Sequence, residues 1–370
     1  MTKKKFLISA LVLLALAALI YLQVRSWRKF DWEKFWGVTR SANVTYILCG
    51  VALVYLDYFL RALRWKILLR PVRRTKASDL VAPTMIGFTG LAVLGRPGEF
   101  IRPYLIARKA NLSMSSQVAV WAVERIFDAG AFGLIMALNI LLAGSTLKEL
   151  PGFRHSPRAF FDFQLFGLLL LLGVTAAAWF AYAVRKSPGR VARLAQWLLG
   201  GISERASVAV SRKVQAFGEG LNTIKDLRSF LELSGLSLAI WLIIGLAYVF
   251  VTNAYHLHRH AEMTLSNVLL LTAASVVGGV VQLPVVGGGS QLATIGVLRG
   301  IFYLSPELSI SCGMMLWLVT FMAVIPAGLF LAHRERVSLR RLEKQSEELI
   351  GSSETNPVGT VNSGEPTKSD

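Results

Sequence analysis

Residues 80–105 read LVAPTMIGFTGLAVLGRPGEFIRPYL, an apolar stretch that glycine and proline interrupt along its length. The interrupting residues are Gly87, Gly90, Gly95, Pro97 and Gly98. The flanking residues Lys76 and Arg108 are both basic, and basic residues gather on one side of a membrane. We therefore expect Leu80–Leu105 to form a re-entrant hairpin, which enters the membrane and leaves it on the same side.

A second apolar stretch, Leu265–Tyr303, is broken in the same way by Pro284 and by Gly287–Gly289. Its flanks are only weakly charged, at Glu262 and Glu307, and we expect it to enter from the opposite side. Irregular backbone at membrane depth is tolerated only where protein or a water-filled cavity satisfies its polar groups. Two opposed broken hairpins therefore predict a cavity of the kind in which transporters bind their substrates.

The rest of the chain supplies apolar runs long enough to span a bilayer, which requires about 17 to 25 residues each. These runs are Phe6–Tyr21, Val44–Leu60, Gln117–Ala143, Phe161–Val184, Phe230–Tyr255 and Ile310–Ala332. With 54% hydrophobic and 17% charged residues, the chain is too apolar for a soluble domain. The sequence predicts an all-α, polytopic integral membrane protein with about six full transmembrane helices plus two re-entrant broken hairpins.

Lysine and arginine are distributed unevenly among the segments that connect these runs. One set of segments holds 28 of them: Met1–Lys5, Arg61–Lys76, Arg96–Lys109, Arg185–Arg228 and Arg334–Lys344. The other set holds 9: Arg25–Asn43, Gly144–Phe160 and Tyr255–Asn267. Since a basic excess marks cytoplasmic segments, we expect a multi-pass protein of the cell membrane with both termini in the cytoplasm. This topology accounts for the formal charge of +18 without a nucleic-acid partner.

The composition divides the chain into a transmembrane domain, residues 1–333, and a cytoplasmic basic segment with a disordered tail, residues 334–370. The tail is polar and has few hydrophobic residues, which is typical of disorder. Residues 185–229 alternate apolar and basic side chains. This pattern indicates amphipathic helices along the inner leaflet, and a solvated linker helix is the alternative. The first run, Phe6–Tyr21, has no small-residue cleavage site after it, so we interpret it as a retained anchor.

The tip of the first hairpin carries candidate substrate-binding residues: Arg96, Gly98, Glu99 and Arg102. Glu99 and Arg102 are three residues apart and are expected to pair on one helical face. An arginine presents a planar fork that matches phosphate oxygens, so Arg96 or Arg102 is a candidate ligand of a lipid phosphate. The alternative is an ordinary basic cytoplasmic loop.

Three ionisable residues, Glu124, Arg125 and Asp128, lie early in a long apolar run. Charged groups inside a membrane are costly and need partners or water. Glu124 and Asp128 are one helical turn apart and share a face. Two interpretations stay open: the three residues bind substrate, or they form an ion-pair cluster that joins this helix to Arg61 or Arg64.

The second hairpin carries another set of candidate substrate-binding residues: Pro284, Gly287, Gly288, Gly289, Ser290 and Gln291. The glycines permit a sharp turn. A helix that begins near Ser290 would direct its free amides and its positive dipole end into the cavity, which suits an anion. Close packing of helices through small residues is the alternative.

Neither a metal nor another cofactor is expected. The alternating histidines His256, His258 and His260 belong to a surface loop and are more typical of solvated side chains, while Cys49 and Cys312 lie in apolar runs and act as small hydrophobic residues. The sequence has no phosphate-binding loop, zinc-protease motif or hydrolase nucleophile elbow. We therefore assign no catalytic residue and do not expect an enzyme.

Four motifs occur in a characteristic order relative to the apolar runs. They are Arg61-x-x-Arg64-Trp65, Gly98-Glu99-x-x-Arg102, Glu124-Arg125-Ile126-x-Asp128 and the late Pro-x-x-Gly-Gly run. Together they resemble the flippase-like transmembrane family of lysylphosphatidylglycerol synthases, over about Phe6 to Ala332. Members of that family often read Pro-x-x-Gly-Gly-x-Gly-x-x-Glu at the second hairpin, whereas this chain has Ser290 and Ala293 in place of the last glycine and the glutamate. The role of that glutamate cannot be carried over.

The resemblance implies a domain that moves lipids with charged headgroups between leaflets. The candidate substrates are an anionic or aminoacylated phospholipid and a polyprenyl-phosphate lipid. Full-length synthases of the family carry an aminoacyltransferase domain, and the residues after His333 are too few for one, so no synthase activity is expected. The alternatives are a membrane-embedded enzyme with Glu99 or Asp128 as general base, and a non-transporting partner of an envelope-lipid biosynthetic enzyme. The oligomeric state stays open, with a homo-oligomer as one candidate.

Overall fold

The computed structural model describes most of the chain between residues 30 and 335. The described residues are 30–187, 189–191, 193, 196, 227–255, 263–279, 282–283 and 287–335. Several sequence predictions lie outside them: the anchor Phe6–Tyr21, most of the amphipathic segment 185–229, the three histidines, Pro284 and the tail beyond residue 335.

Helices make up nearly all of the described structure. The helices of the first half are α1 Trp32–Ser41, α2 Val44–Leu69, α3 Ala77–Leu94, a 3-10 helix Arg96–Phe100, α4 Ile101–Ala110, α5 Met114–Leu142, α6 Gly144–Lys148, α7 Pro151–Arg154 and α8 Pro157–Lys186. The second half has α9 Leu227–Asn253, α10 Leu265–Gly278, strands β1 Gln282–Leu283 and β2 Gly287–Gly288, α11 Gly289–Gly300, α12 Pro306–Trp317, a π-helix Leu318–Met322 and α13 Val324–Arg334.

Among the described residues, six helices are long and apolar enough to cross a membrane. They are Val44–Leu69, Ala77–Leu94, Ser116–Leu142, Pro157–Val184, Leu227–Asn253 and Pro306–Arg334. Five of them coincide with predicted spans, and Ala77–Leu94 is the first arm of the predicted first hairpin. The prediction of an all-α, polytopic membrane protein is confirmed.

The first hairpin consists of α3, the 3-10 helix and α4. The chain reverses at Gly95, whose φ of 75° is a left-handed conformation that suits a residue without a side chain. The two arms then run side by side, and a Cβ atom on Gly98 would overlap the carbonyl group of Gly90. At the open end, the Arg73 guanidinium donates a hydrogen bond to the carbonyl of Ala110. The hairpin therefore returns to the end from which it started.

The second hairpin consists of α10, the β1–β2 ribbon and α11. The strands pair antiparallel, with Gln282 opposite Gly288 and Leu283 opposite Gly287. A Cβ atom on Gly278 would overlap the carbonyl of Gly289, so the arms touch directly beside the turn. This segment also folds back on itself, as the sequence predicts.

The two hairpins open at opposite ends of the helix bundle. We call the end formed by residues 70–76, 108–113 and 334–335 the basic end; the first hairpin opens there, and Lys109 Nζ lies 3.0 Å from Glu335 Oε1. The second hairpin opens at the other end, where the Asn139 amide donates to the Ser266 carbonyl at 3.1 Å. The helix α13 packs closely against the first hairpin, since a Cβ atom on Gly328 would overlap the Thr89 side chain of α3.

Candidate functional site: an arginine–carboxylate cluster and a cavity between the hairpins

Arg64 of α2 bridges two carboxylates of α5 in the interior of the bundle. Its Nη2 atom lies 2.5 Å from Glu124 Oε1, and its Nη1 atom lies 2.5 Å from Asp128 Oδ1. Nη1 also donates to Ser237 Oγ of α9 at 2.9 Å. The carboxylates share one helical face because they are one turn apart. One guanidinium thus joins three helices.

Arg102 brings the first hairpin to the same place. Its guanidinium donates to both oxygens of Glu124, at 3.1 Å from Nη1 to Oε1 and at a shorter distance from Nη2 to Oε2. Trp65 Nε1 donates to Oε2 at 2.7 Å. The Arg102 guanidinium carbon lies 4.8 Å from the centre of the Trp65 ring and 5.2 Å from that of Phe88, within the range of cation–π attraction. Glu124 is therefore the acceptor at which α2, α4 and α5 meet.

The cluster has three further members. Arg61 Nε lies 2.8 Å from Asp57 Oδ2, one turn earlier on α2. Arg125 Nη2 lies 3.0 Å from Asp128 Oδ2 and 3.6 Å from Glu124 Oε2, and its side chain is 41% exposed. We call the set the arginine–carboxylate cluster, which comprises Asp57, Arg61, Arg64, Arg102, Glu124, Arg125 and Asp128. Four arginines face three carboxylates, so its formal charge is +1.

One sequence prediction about this region is wrong. Glu99 and Arg102 were expected to pair on one helical face, but Arg102 is turned to Glu124 and only 4% exposed. Glu99 lies on the 3-10 helix and makes no ion pair within the described part of the chain. The physical reason is that a buried guanidinium gains most from a carboxylate that is itself desolvated, and α5 supplies one.

Of the two interpretations of Glu124, Arg125 and Asp128, the ion-pair cluster is the arrangement that the structure shows. These residues form an ion-pair cluster with Arg61 and Arg64. Asp57 was not among the predicted residues, although its spacing of four residues from Arg61 within an apolar run was a usable signal. Ser237 was not predicted either, and the sequence gives no signal for it.

A cavity of about 300 Å³ lies between the tips of the two hairpins. Leu91 of the first hairpin and Ser275, Ser290 and Gln291 of the second line it, together with Thr320 of the π-helix. The predicted helix start is observed, because α11 begins at Gly289. Its cap residue Gly288 has φ 83° and no side chain to satisfy the first amides. The positive end of α11 therefore borders the cavity.

Trp241 of α9 connects the cavity to the arginine–carboxylate cluster. Its ring lines the cavity, and its Nε1 atom donates to the backbone carbonyl of Asp128 at 3.1 Å. A second indole, Trp317, lines the same cavity, and its buried Nε1 atom has no hydrogen-bond partner among the described residues. Trp241 therefore contacts both the cavity and the cluster residue Asp128.

The π-helix Leu318–Met322 is a feature that the sequence analysis did not predict. Thr320 and Phe321 of this segment line the cavity. Beyond it, the Tyr55 hydroxyl donates to the carbonyl of Ala323 at 2.8 Å. Pro326, which lacks a backbone donor, follows four residues after Met322 and is the one local signal for an irregular helix here. Single-turn π segments are frequent at functional sites.

The structure brings the candidate substrate-binding residues into two groups. Arg102, Glu124, Arg125 and Asp128 join the cluster, and Ser290 and Gln291 reach the cavity. Arg96 is exposed on the 3-10 helix; Gly98 is inside the hairpin, Gly287 and Gly288 form β2, and Gly289 begins α11. Substrate binding by any of them stays a prediction.

Comparison with known proteins gives one match. The chain matches the family described as the lysylphosphatidylglycerol synthase TM region over residues 6–328. No curated protein matches. No solved structure matches. The match covers most of the chain. This multi-pass membrane protein of envelope lipid metabolism belongs to the family of the lysylphosphatidylglycerol synthase transmembrane region.

Proposed function

We propose that the protein is a flippase-like transporter that moves a lipid with a charged headgroup, or a polyprenyl-phosphate-linked lipid, between the leaflets of the cell membrane. The observation that carries the proposal is the meeting of two oppositely entering hairpins at one cavity. Each hairpin reaches the cavity from a different end of the bundle. A headgroup that enters the cavity beside one hairpin can leave it beside the other hairpin, at the opposite end of the bundle.

The lining of the cavity suits a headgroup better than an acyl chain. Ser275, Ser290 and Thr320 supply hydroxyl groups, and Gln291 supplies an amide. These groups replace part of the water that a phosphate loses inside the membrane. The acyl chains would stay in the surrounding lipid.

The arginine–carboxylate cluster supports an anionic substrate. Its formal charge of +1 attracts a phosphate, and Arg125 is the member with the largest exposed fraction, 41% of its side chain. Arg102 and Arg64 are held by Glu124 and stabilise the arrangement of α2, α4 and α5. In this mechanism Arg125 contacts the headgroup and the other arginines position Glu124 and Asp128.

The basic end is assigned to the cytoplasm in this proposal. Arg70, Arg73, Arg74 and Lys76 gather there between α2 and α3, and basic connecting segments stay in the cytoplasm. The first hairpin then enters from the cytoplasmic side and the second from the outside. Both chain termini lie in the cytoplasm.

The direct test is lipid movement in liposomes that contain the purified protein. Fluorescent phosphatidylglycerol, aminoacylated phosphatidylglycerol and a polyprenyl phosphate are compared, with chemical analysis of the lipids in parallel. Ser275→Leu fills the cavity with an apolar side chain, whereas Thr175→Leu makes a similar change on the exposed surface of α8. We expect the wild type and Thr175→Leu to move at least one lipid and Ser275→Leu to lose most of that movement.

Three outcomes would contradict the proposal. If no lipid moves faster than in protein-free liposomes, the non-transporting partner becomes the better hypothesis. If a lipid is recovered in chemically altered form, the protein is an enzyme that acts on the headgroup. Equal loss in Ser275→Leu and Thr175→Leu would remove the cavity from the transport route.

A further inference from the structure

A groove between α2 and α9 lies at the basic end, apart from the cavity and the cluster. Its volume is about 420 Å³. The lining residues are Leu63, Lys66, Ile67 and Arg70 of α2 and Leu231, Glu232, Gly235 and Leu236 of α9. The α2 residues recur every three or four positions and so share one helical face. That face points away from the one that carries Arg61 and Arg64.

The mouth of the groove has more positive than negative charge. Glu232 accepts hydrogen bonds from Arg70 at 2.6 Å and from Arg228 at 2.9 Å. Lys66 is half-buried and makes no ion pair within the part of the chain that the structure describes. Two cationic side chains, Arg70 and Arg228, thus contact one carboxylate, and Lys66 lines the same groove without an ion pair to the described residues. Two positive charges are left for an anion at this position.

The floor of the groove is apolar. Leu63, Ile67 and Leu236 line it together with Gly235, and the space beside Gly235 is open, because no atom lies within 4 Å of the place where its Cβ would be. The helices are antiparallel, so the floor runs from Arg70 toward Leu63. At a rise of about 1.5 Å per residue, this distance is on the order of 10 Å. The groove therefore changes from cationic to apolar along the two helices, with increasing distance from the basic end.

We propose that this groove binds an acidic phospholipid from the leaflet at the basic end. The headgroup phosphate lies between Lys66 and Arg70, with Glu232 holding the Arg70 guanidinium in place. One acyl chain follows the apolar floor past Gly235. Basic pockets between membrane helices bind anionic headgroups in this manner. The site is separate from the hairpin cavity, and its occupancy does not depend on whether the protein transports lipid.

The test is photo-crosslinking of the full-length protein in nanodiscs. The nanodiscs contain phosphatidylcholine and a small fraction of phosphatidylglycerol that carries a diazirine in one acyl chain. Crosslinked peptides are identified by mass spectrometry. We compare Lys66→Gln/Arg70→Gln with Arg74→Gln/Lys76→Gln, which removes the same charge from exposed positions at the same end. Gly235→Leu places an apolar side chain in the groove and leaves every charge in place.

We expect crosslinks to α2 and α9 in the wild type. The Lys66→Gln/Arg70→Gln variant should need more phosphatidylglycerol than the wild type to reach the same crosslinking. The expected increase is about fivefold for each charge removed, since each basic residue near an anionic lipid contributes about 1 kcal/mol. Gly235→Leu should lose the crosslinks, and Arg74→Gln/Lys76→Gln should retain them.

Three results would overturn the proposal. Equal loss of crosslinks in both charge variants would show that the whole basic surface attracts anionic lipid, without a specific site in the groove. Equal crosslinking by a diazirine-labelled phosphatidylcholine would show that the charged mouth does not select anionic lipid. Displacement of the lipid by millimolar glycerol phosphate would identify a site for soluble phosphate instead. Because the measured quantity is binding, it is independent of lipid movement in the liposome experiment.

Discussion

The Nη2 atom of Arg64 lies 2.5 Å from Oε1 of Glu124, and neither side chain exposes any surface. Around this pair, Arg102 and Trp65 complete the donors to Glu124. A carboxylate in this position is stabilised only while its cationic partners are present, and the reverse is equally true. The pair therefore ties the packing of α2 and α5 to the position of the first hairpin.

Glu124→Gln should destabilise the protein strongly. The substitution leaves Arg64 and Arg102 buried without their shared counter-charge, and loss of one partner from a buried ion pair costs about 3–5 kcal/mol. We expect the melting temperature of the purified protein in detergent to fall by on the order of 10 °C. The control is Glu99→Gln, which should change stability by less than about 0.5 kcal/mol. Equal melting temperatures for the two variants would contradict the central role of Glu124.

Gly98→Ala should disrupt the first hairpin. The added methyl group overlaps the backbone of Gly90, which cannot move aside as a flexible side chain does, and overpacking of this kind costs about 1–3 kcal/mol. Gly173→Ala on α8 is the matched control, because nothing lies within 4 Å of its Cβ position. Alanine should stabilise that helix by about 0.5–1 kcal/mol. Thermal unfolding in detergent measures both, and a stable Gly98→Ala protein would show that the arms are not in contact.

The hairpins illustrate what the sequence alone could predict. Gly95, Pro97 and the glycine run at Gly287–Gly289 are backbone signals, and they report a break wherever the chain folds. The basic residues Lys76 and Arg108 report the side on which the first hairpin begins and ends. Both kinds of signal are local, so the hairpins and the spans were predictable.

The partners inside the site were less predictable because they depend on tertiary packing. Glu99 is the nearest acid to Arg102 in sequence, but Glu124 is 22 residues away and reaches Arg102 only after α4 packs against α5. Trp65 and Ser237 join the cluster for the same reason. The cavity needs the π-helix at Leu318–Met322, and its only local signal is a single proline.

Tyr55→Phe should loosen the segment around the π-helix. The substitution removes the 2.8 Å hydrogen bond from the Tyr55 hydroxyl to the Ala323 carbonyl, and one such hydrogen bond contributes about 1 kcal/mol. Tyr46→Phe is the control, since the Tyr46 ring is 42% exposed and its hydroxyl makes no hydrogen bond to the described residues. Hydrogen exchange of residues 318–326 followed by mass spectrometry should increase only in Tyr55→Phe. Unchanged hydrogen exchange of these residues would show that the Tyr55 hydroxyl does not stabilise the π-helix.

The topology predicts which engineered cysteines react from outside the cell. Cys49 and Cys312 are first replaced by alanine, and Arg74→Cys or Lys148→Cys is then introduced at an exposed position. A membrane-impermeant maleimide should label Lys148→Cys in intact cells and Arg74→Cys only after permeabilisation, because the proposed topology places the basic end in the cytoplasm. The reverse pattern would show the opposite orientation. Labelling of both positions in intact cells would show that the two ends do not lie on opposite sides of the membrane.

Arg125 offers a test of headgroup recognition that spares the buried pairs. In Arg125→Gln, Asp128 keeps its 2.5 Å contact with Arg64, so the fold should persist while the formal charge of the cluster falls from +1 to zero. A hydrogen bond to a charged group contributes about 1.5–3 kcal/mol. We therefore expect movement of phosphatidylglycerol in the liposome assay to slow by about tenfold or more relative to phosphatidylcholine. Arg125→Lys keeps the charge and should retain most of the preference. Equal slowing of both lipids would assign Arg125 to the stability of the cluster, and equal rates in all three proteins would place the headgroup elsewhere.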